Sequence, residues 1–249
     1  MNEKQFTIIV PARLESQRLK RKLLLAETGK PLIVHTLENL AELKEFANIY
    51  TVTDSDEIAE AAKPYCDKVF PSPVECQSGT ERITNILEKI STAWVLNVQA
   101  DEPEVAIDEL KKLMMHCVEQ NGNLKMATMG SKFQQLATFN NPNAVKVVVD
   151  KLGQALYFSR SPVPHGEKFD ADRVYHHIGI YAYRKSFLKQ WNSLPEGILE
   201  KIEKLEQLRA LENCIPIFVM PISNAHKGID TREDYEAFAE REISKINGK

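Results

Sequence analysis

The sequence predicts an α/β protein built on a mixed, mostly parallel sheet flanked by helices. Short β-branched runs alternate with amphipathic stretches through the first half. The second half is richer in strands, with longer loops between them. The length, 249 residues, suits one large α/β domain or two small ones. Alternation followed by strand-rich sequence points to a parallel half over residues 1–130 joined to a mixed-sheet half over 131–249, within a single domain of 1–249.

Thr7–Val10 reads as the first strand, and Pro31–Leu43 as a helix with Pro31 in its first turn and Ile33, Leu37, Leu40 and Leu43 on one face. Ile49–Thr53 is the next strand, ending at Asp54-Ser55-Asp56. Glu57–Lys63 is a short helix stopped by Pro64, and Lys68–Phe70 a short strand. Ser78-Gly79-Thr80-Glu81 has capping-box spacing and predicts a helix running through Ile83, Ile86, Leu87 and Ile90. Trp94–Val98 is a strand and Ile107–Val118 a helix. Further strands are expected at Lys125–Met129, Val145–Val149, Ala155–Phe158, Ile178–Tyr183 and Ile217–Val219, with a turn at Asn140-Asn141-Pro142-Asn143. Leu199–Leu211 predicts one helix burying Ile202, Leu205 and Leu208, and Thr231 caps a last helix with Glu233 and Asp234 in its first turn.

A composition of 43% hydrophobic and 27% charged residues fits a globular chain. A formal net charge of -3 argues against general nucleic-acid binding, which needs many cations on one face. The four cysteines are widely spaced without a C-x-x-C pair, which fits reduced thiols in a cytoplasm rather than a disulfide framework or structural zinc. The polar start, Met1-Asn2-Glu3-Lys4-Gln5, carries no signal peptide, and no apolar run approaches the ~20 residues of a membrane helix.

Six segments can carry chemistry. After the first strand comes a loop with Arg13, Arg18, Arg21 and Lys22. Cations at the carboxyl end of a strand lie where open α/β sheets bind phosphates, though alone this is equally a solvated basic loop. Gln77-Ser78-Gly79-Thr80-Glu81-Arg82 offers a helix start and a glycine for close backbone approach; alone it is a well-capped helix. Asn97-Val98-Gln99-Ala100-Asp101-Glu102-Pro103 puts Asp101 at a strand end, where a carboxylate can hold Mg²⁺ against phosphates. Asp230, in Gly228-Ile229-Asp230-Thr231, is either a second such carboxylate or a helix cap. In His176-His177-Ile178-Gly179-Ile180-Tyr181, alternation sends His177, Gly179 and Tyr181 to one face, so the two histidines do not readily share a metal. The sixth, Glu203-Lys204-Leu205-Glu206-Gln207-Leu208-Arg209, is by itself an amphipathic helix with a solvated face.

No segment is specific alone, but their order is. The basic loop, Q-S-G-T-E-R, N-V-Q-x-D-E-P, N-P-N-x-V-K, L-Y-F-S-R, H-x-G-I-Y, L-E-Q-L-R and G-x-D-T follow one another between about Thr7 and Tyr235. In this the chain resembles the 3-deoxy-manno-octulosonate (Kdo) cytidylyltransferase, or CMP-Kdo synthetase, family. The resemblance implies a nucleotidyltransferase fold of the glycosyltransferase-A-like, Rossmann-like kind. It implies a homodimer and a Mg²⁺-dependent reaction of CTP with Kdo, giving CMP-Kdo and pyrophosphate for lipopolysaccharide assembly. The first half would bind the nucleotide, the second the sugar acid and the partner subunit.

By the same resemblance, Pro11, Ala12, Arg13, Ser16, Arg18 and Lys22 keep the loop pattern P-A-R-x-x-S-x-R-x-x-x-K, and Arg13, Arg18 and Lys22 grip the triphosphate. Gln77, Ser78, Gly79 and Arg82 surround cytosine and ribose, and Asp101 and Asp230 hold Mg²⁺. Gln99, Arg160, His177, Tyr181, Glu206 and Gln207 line the sugar-acid pocket. Five positions depart from the family pattern, among them Leu23, which stands where Pro follows the loop lysine. Lys20-Arg21 replaces Pro-Gly before the loop lysine, Cys76 stands for His, and Ala100 stands for Gly. A related acid such as 8-amino-Kdo is the alternative substrate, and a non-catalytic paralogue is the contrasting reading.

Overall fold

β-Branched and aromatic residues pair in register along four parallel strands of the first half. In this computed structural model the described residues are 4–16, 18–76, 78–120, 122–165, 172–223 and 228–247. In chain order the first elements are β1 (Phe6–Ala12), α1 (Leu32–Leu40), β2 (Ala47–Thr53), α2 (Asp56–Ala62), β3 (Lys68–Pro71), α3 (Gly79–Thr84) and β4 (Trp94–Asn97). Next come α4 (Ile107–Glu119), β5 (Met126–Ser131), α5 (Leu136–Asn140), β6 (Lys146–Val149), β7 (Ala155–Ser159) and β8 (Val174–Arg184). The last are α6 (Lys185–Leu188), α7 (Ile198–Glu203), α8 (Leu208–Glu212), β9 (Ile217–Ile222) and α9 (Arg232–Asn247). No helix among the described residues is long and apolar enough to cross a membrane.

The chain divides into two compact units, Met1–Ile107 with His226–Lys249, and Asp108–Ala225. The sequence-based halves met at residue 130, so this division moves α4 and β5 into the second unit and returns α9 to the first. In the first unit β1 is central, pairing in parallel with β2 and β4, while β2 pairs with β3. All seven β1 residues are buried, as a strand covered on both faces requires. Every β1 residue therefore serves the core, and the chain turns polar only past Ala12, at the carboxyl edge where sites form. In the second unit β5 pairs with β8 antiparallel and with β9 in parallel, while β6 bridges β7 and β8.

Three elements differ from expectation. The helix expected through Ile90 ends as α-helix at Thr84 and closes with a 3-10 turn at Leu87–Lys89. Pro31 precedes α1, which ends at Leu40 before a 3-10 turn over Ala41–Leu43. The single helix expected over Leu199–Leu211 is broken at Lys204, which sits at φ 54. The Leu205 N–H reaches back to the Glu200 carbonyl at 3.2 Å, closing the turn. The break rotates the first half of that segment: Leu205 and Leu208 are buried as expected, but Ile202 is 71% exposed. Glu212 explains why α7 folds back. Its carboxylate accepts the N–H groups of Ile198, Leu199 and Glu200 at 2.9–3.2 Å, capping α7 from α8. A Cβ at Gly197 would meet that carboxylate at 1.7 Å, so a larger residue there would have to displace the cap.

A non-glycine residue in the left-handed region carries steric cost. Lys204→Gly is expected to raise unfolding stability by about 1 kcal/mol in urea titrations, and an unchanged or lower midpoint would mean the turn is not strained.

Candidate active site

The first unit gathers its functional side chains at the carboxyl ends of β1 and β4 and at the loop before α9. Pro11, Ala12, Arg13, Ser16, Arg18, Lys22, Cys76, Ser78, Gly79, Arg82, Gln99, Asp101 and Asp230 all line one polar cavity of about 260 Å³. Thirteen of the cavity's residues thus come from four segments far apart in sequence. Gln77 lies outside the described residues.

Its centre is the Lys22 ammonium, buried at 7% exposure. It donates to Asp101 Oδ2 and, at 2.5 Å, to the Ile229 carbonyl, and lies 3.5 Å from Asp230 Oδ1. Arg18 pairs with Asp230 at 3.0 Å. The loop that brings Asp230 here is pinned by the Ile229 N–H, which donates to the Asp101 carbonyl at 2.9 Å. A Cβ at Gly228 would meet Glu102 Oε1 at 2.9 Å, so a glycine lets this loop pass over Glu102. Burial, and then the Asp101 and Asp230 carboxylates, push the Glu102 carboxyl up to about 8 against the pull of Lys22. Glu102 is the acid of this cluster that motif reasoning missed; the E of D-E-P was its only signal.

Arg13 and Arg18 are exposed at the cavity rim, and no carboxylate among the described residues pairs with Arg13. Ser78 caps α3 by accepting the Glu81 N–H at 3.1 Å. A Cβ at Gly79 would meet Pro11 at 3.2 Å, so glycine lets α3 start against β1. Arg82 is only 4% exposed, and its guanidinium is committed to Asp54 Oδ2 at 2.8 Å, the Pro73 carbonyl at 3.1 Å and the Ser72 hydroxyl. It builds the cavity wall with its charge already neutralised. The Cys76 thiol accepts from Asn85 at 3.2 Å, and burial pushes its pKa up, so the sulfur stays protonated. Ala100 has no left-handed backbone, so its methyl is unstrained; Arg21, at φ 53, takes the left-handed conformation instead.

The second unit gathers the remaining candidates. The Arg160 guanidinium is aimed by three backbone carbonyls, Glu203 at 2.9 Å, Pro142 at 3.1 Å and Lys204 at 3.4 Å. Its backbone N–H donates to the Glu203 carboxylate at 2.9 Å, which also accepts from Ser159 at 2.6 Å and Tyr157 at 3.3 Å. The Arg160 carbonyl accepts from the buried Lys146 ammonium at 2.6 Å. Glu203 and Lys146 stood within quoted motifs, but neither was given a role in the site.

His177 packs between the rings of Phe158 and Tyr181, at 5.1 and 5.3 Å between centroids, with Nε2 3.1 Å from the Thr128 hydroxyl. Burial, with help from His176, drives its pKa down to about 3, so it is neutral at pH 7. His176 turns away to pack on Phe133, as strand alternation predicts. Burial, Tyr183 and Glu206 raise the Tyr181 phenol well above its ordinary range. Two buried polar atoms, Tyr181 Oη and Gln207 Nε2, lack a hydrogen-bond partner among the described residues. Buried polar groups are ordinarily paired. Arg160, His177, Tyr181, Glu206 and Gln207 thus fall in one unit, while Gln99 belongs to the cavity of the other.

Fold and cavity define a nucleotidyltransferase. The cytidylyltransferase family model matches residues 7–217, and the chain belongs to that family. It is 38% identical over 231 residues to the 8-amino-3,8-dideoxy-manno-octulosonate cytidylyltransferase of Shewanella halifaxensis, covering 92% of this chain and 94% of the relative. It is also 38% identical over 233 residues to the 3-deoxy-manno-octulosonate cytidylyltransferase of Chloroherpeton thalassium, covering 91% and 93%. A solved CMP:2-keto-3-deoxy-manno-octonic acid synthetase complexed with CTP superposes with a TM-score of 0.89 at 32% identity, covering 97% of this chain and 99% of that one. A putative glucose-1-phosphate thymidylyltransferase from Bacillus anthracis shares the fold at a TM-score of 0.68 and 12% identity, covering 96% and 95%.

The neutral His177 has a consequence for stability. An unfolded histidine titrates near 6.5 and His177 near 3, so between these values the unfolded chain binds the extra proton. The contribution is complete above the unfolded value and is lost as pH falls toward 3. His177→Gln is expected to lose less stability than wild type between pH 7 and pH 5 in denaturant titrations. Identical losses would mean His177 protonates freely in the fold.

Proposed function

We propose that the protein is a cytidylyltransferase that activates Kdo with CTP, releasing pyrophosphate and giving CMP-Kdo for lipopolysaccharide biosynthesis. The observation that carries this is the convergence of Lys22, Arg18, Asp101 and Asp230 in one cavity of the first unit. Arg13, Arg18 and Lys22 bind the triphosphate and stabilise the charge that builds on the α-phosphate and the leaving group. Pro11, Ala12, Ser78, Gly79 and Arg82 shape the walls that receive ribose and cytosine, and Gln77 belongs to the same set by its motif.

Mg²⁺ fits this site. Among the described residues no group of three or more His, Cys, Asp or Glu surrounds one point. Two carboxylates and the Ile229 carbonyl already converge on a cation, the Lys22 ammonium, and an all-oxygen set of this kind suits a hard divalent ion. Asp101 and Asp230 would hold it, where it supplies a lowered pKa for the attacking hydroxyl and draws charge from the phosphate oxygens. Arg160, His177, Tyr181, Glu206 and Gln207 bind the sugar acid. Arg160 retains N–H donors beyond its three carbonyl contacts for a carboxylate. The neutral His177 and the phenol of Tyr181 suit hydroxyl groups. The use of CTP, together with four free cysteines, supports a cytoplasmic setting.

8-Amino-Kdo is the second reading, favoured by the Glu206 carboxylate beside Tyr181, which would suit a cationic amine. Pyrophosphate release from CTP and Mg²⁺, with Kdo or 8-amino-Kdo, tests both. Kdo is expected to turn over with the higher kcat/KM. A preference for the amine that vanishes in Glu206→Gln would promote the second reading, and no turnover with either would leave a non-catalytic paralogue. Asp101→Asn should cost at least ~100-fold in rate, about 3 kcal/mol of transition-state stabilisation. Full activity of that variant would remove Asp101 from the site.

A homodimer is part of the same proposal. Leu152, Leu156, Ile198 and Ile202 of the second unit are more than 60% exposed, and the Tyr157–Glu203 and Ser159–Glu203 bonds hold β7 and α7 together beneath them. Apolar patches of this kind mark interfaces. Light scattering at micromolar concentration should give twice the chain mass for wild type and a lower value for Leu156→Asp; a wild-type monomer would contradict the dimer.

A further inference from the structure

Asp54 ends β2 outside the cavity lining, yet it touches two parts of the cavity's wall. Its Oδ1 accepts the backbone N–H of Leu14 at 2.9 Å, one residue past Arg13, and its Oδ2 accepts from Arg82 at 2.8 Å. The Asp54 and Arg82 side chains are 8% and 4% exposed. We propose that Asp54 is a positioning residue for nucleotide binding, fixing the start of the basic loop and the Arg82 wall through one carboxylate.

Two consequences follow from the geometry. The Leu14 tie sets the exit of the chain from β1, so Arg13 starts from a fixed point at the rim. The Arg82 tie neutralises the most buried guanidinium of the cavity and holds it against the Pro73 carbonyl, so that Arg82 is wall rather than phosphate ligand. Of the other cations, Arg13 has no carboxylate partner among the described residues, while Arg18 and Lys22 meet Asp230 and Asp101. Ser55, the next residue, caps α2 by accepting the Ile58 N–H at 3.4 Å, so the strand end is held from both sides of Asp54.

The inference rests on reading the first unit as the CTP site, and its test is read on CTP alone. Removing one partner of a buried ion pair leaves an unpaired charge, so both are replaced together. Asp54→Asn/Arg82→Gln keeps an acceptor for the Leu14 N–H, whereas Asp54→Leu/Arg82→Gln removes it; the loss of Arg82 is common to both. Calorimetric titration with CTP and Mg²⁺, without sugar, should show the Leu form binding at least ~10-fold more weakly than the Asn form. The KM for the sugar acid should differ between them by less than about 2-fold, since a positioning role here acts on the nucleotide alone. Equal CTP affinities, or equal rises in both KM values, would overturn the role. Hydrogen exchange on the wild-type protein gives a second reading that needs no variant. A Leu14 amide protected with and without CTP is expected, and one that exchanges freely in both states would overturn the tie. Failure of wild type to bind CTP would overturn the nucleotide reading itself, whereas CTP binding without turnover of Kdo would overturn only the choice of sugar.

Discussion

A buried lysine must find oxygen partners or lose its charge, and Lys22 finds three. The demand is met by two distant segments: Asp101 after β4, and Ile229 and Asp230 just before α9. This explains why the C-terminal segment belongs to the first unit although some 120 residues of the second unit separate it from β4. Other contacts secure the return. The Glu27 N–H donates to Tyr235 Oη at 3.0 Å, Arg232 pairs with Glu27 at 2.8 Å, and Arg241 pairs with Glu104. The exposed pairs contribute little each. Burial of Tyr235 and Phe238 against His35, whose ring meets Phe238 edge-on at 4.9 Å, does more.

The second unit obeys the same constraint at Lys146 and departs from it elsewhere. Lys146 is fully buried, and three carbonyls, of Asn141, Ala144 and Arg160, receive its ammonium at 2.6–3.0 Å. Burial lowers its pKa, with Glu203 opposing. Glu203 in turn satisfies Ser159, Tyr157 and the Arg160 N–H. Tyr181 Oη and Gln207 Nε2 are buried polar atoms without partners among the described residues, as are Ser131 Oγ and Gln154 Oε1 of the same unit. A unit that satisfies a buried ammonium three times over has the means to satisfy a phenol. Leaving Tyr181 and Gln207 open is consistent with a ligand that supplies the missing hydroxyls.

Much of this was legible in the sequence, for identifiable reasons. Periodicity located the strands to within a few residues because β1, β2 and β4 are buried throughout or nearly so. Capping chemistry located the starts of α3 and α9, where Ser78 and Thr231 accept the N–H three residues on. The Leu199–Leu211 helix misled because its apolar spacing suits a continuous helix, and nothing local to Lys204 announces a left-handed residue. The break depends on Glu212 capping α7 from outside the segment. In the site, charged residues with a motif were legible, whereas those whose work is to hold other side chains were not. Asp54 looked like a strand end, and Glu203 like a solvated helix face, because their partners lie 28 or more residues away.

The departures from the family pattern fall where the structure tolerates them. The basic loop is anchored at both ends by buried groups, Leu14 on Asp54 and Lys22 on Asp101. Lys20 and Arg21, just before the second anchor, must only let the chain pass. The turn before Lys22 still requires a left-handed residue, where glycine would be free of strain, and Arg21 occupies it at φ 53. The cost, on the order of 1–2 kcal/mol, is partly offset by its exposed ion pair with Glu57. Ala100 needs no such offset, because its backbone is not left-handed and its carbonyl accepts the Thr36 hydroxyl at 2.8 Å from the core side. What the fold holds constant is thus the position of Lys22 between its two carboxylates, and the side chains that vary are those whose replacement leaves that position unchanged.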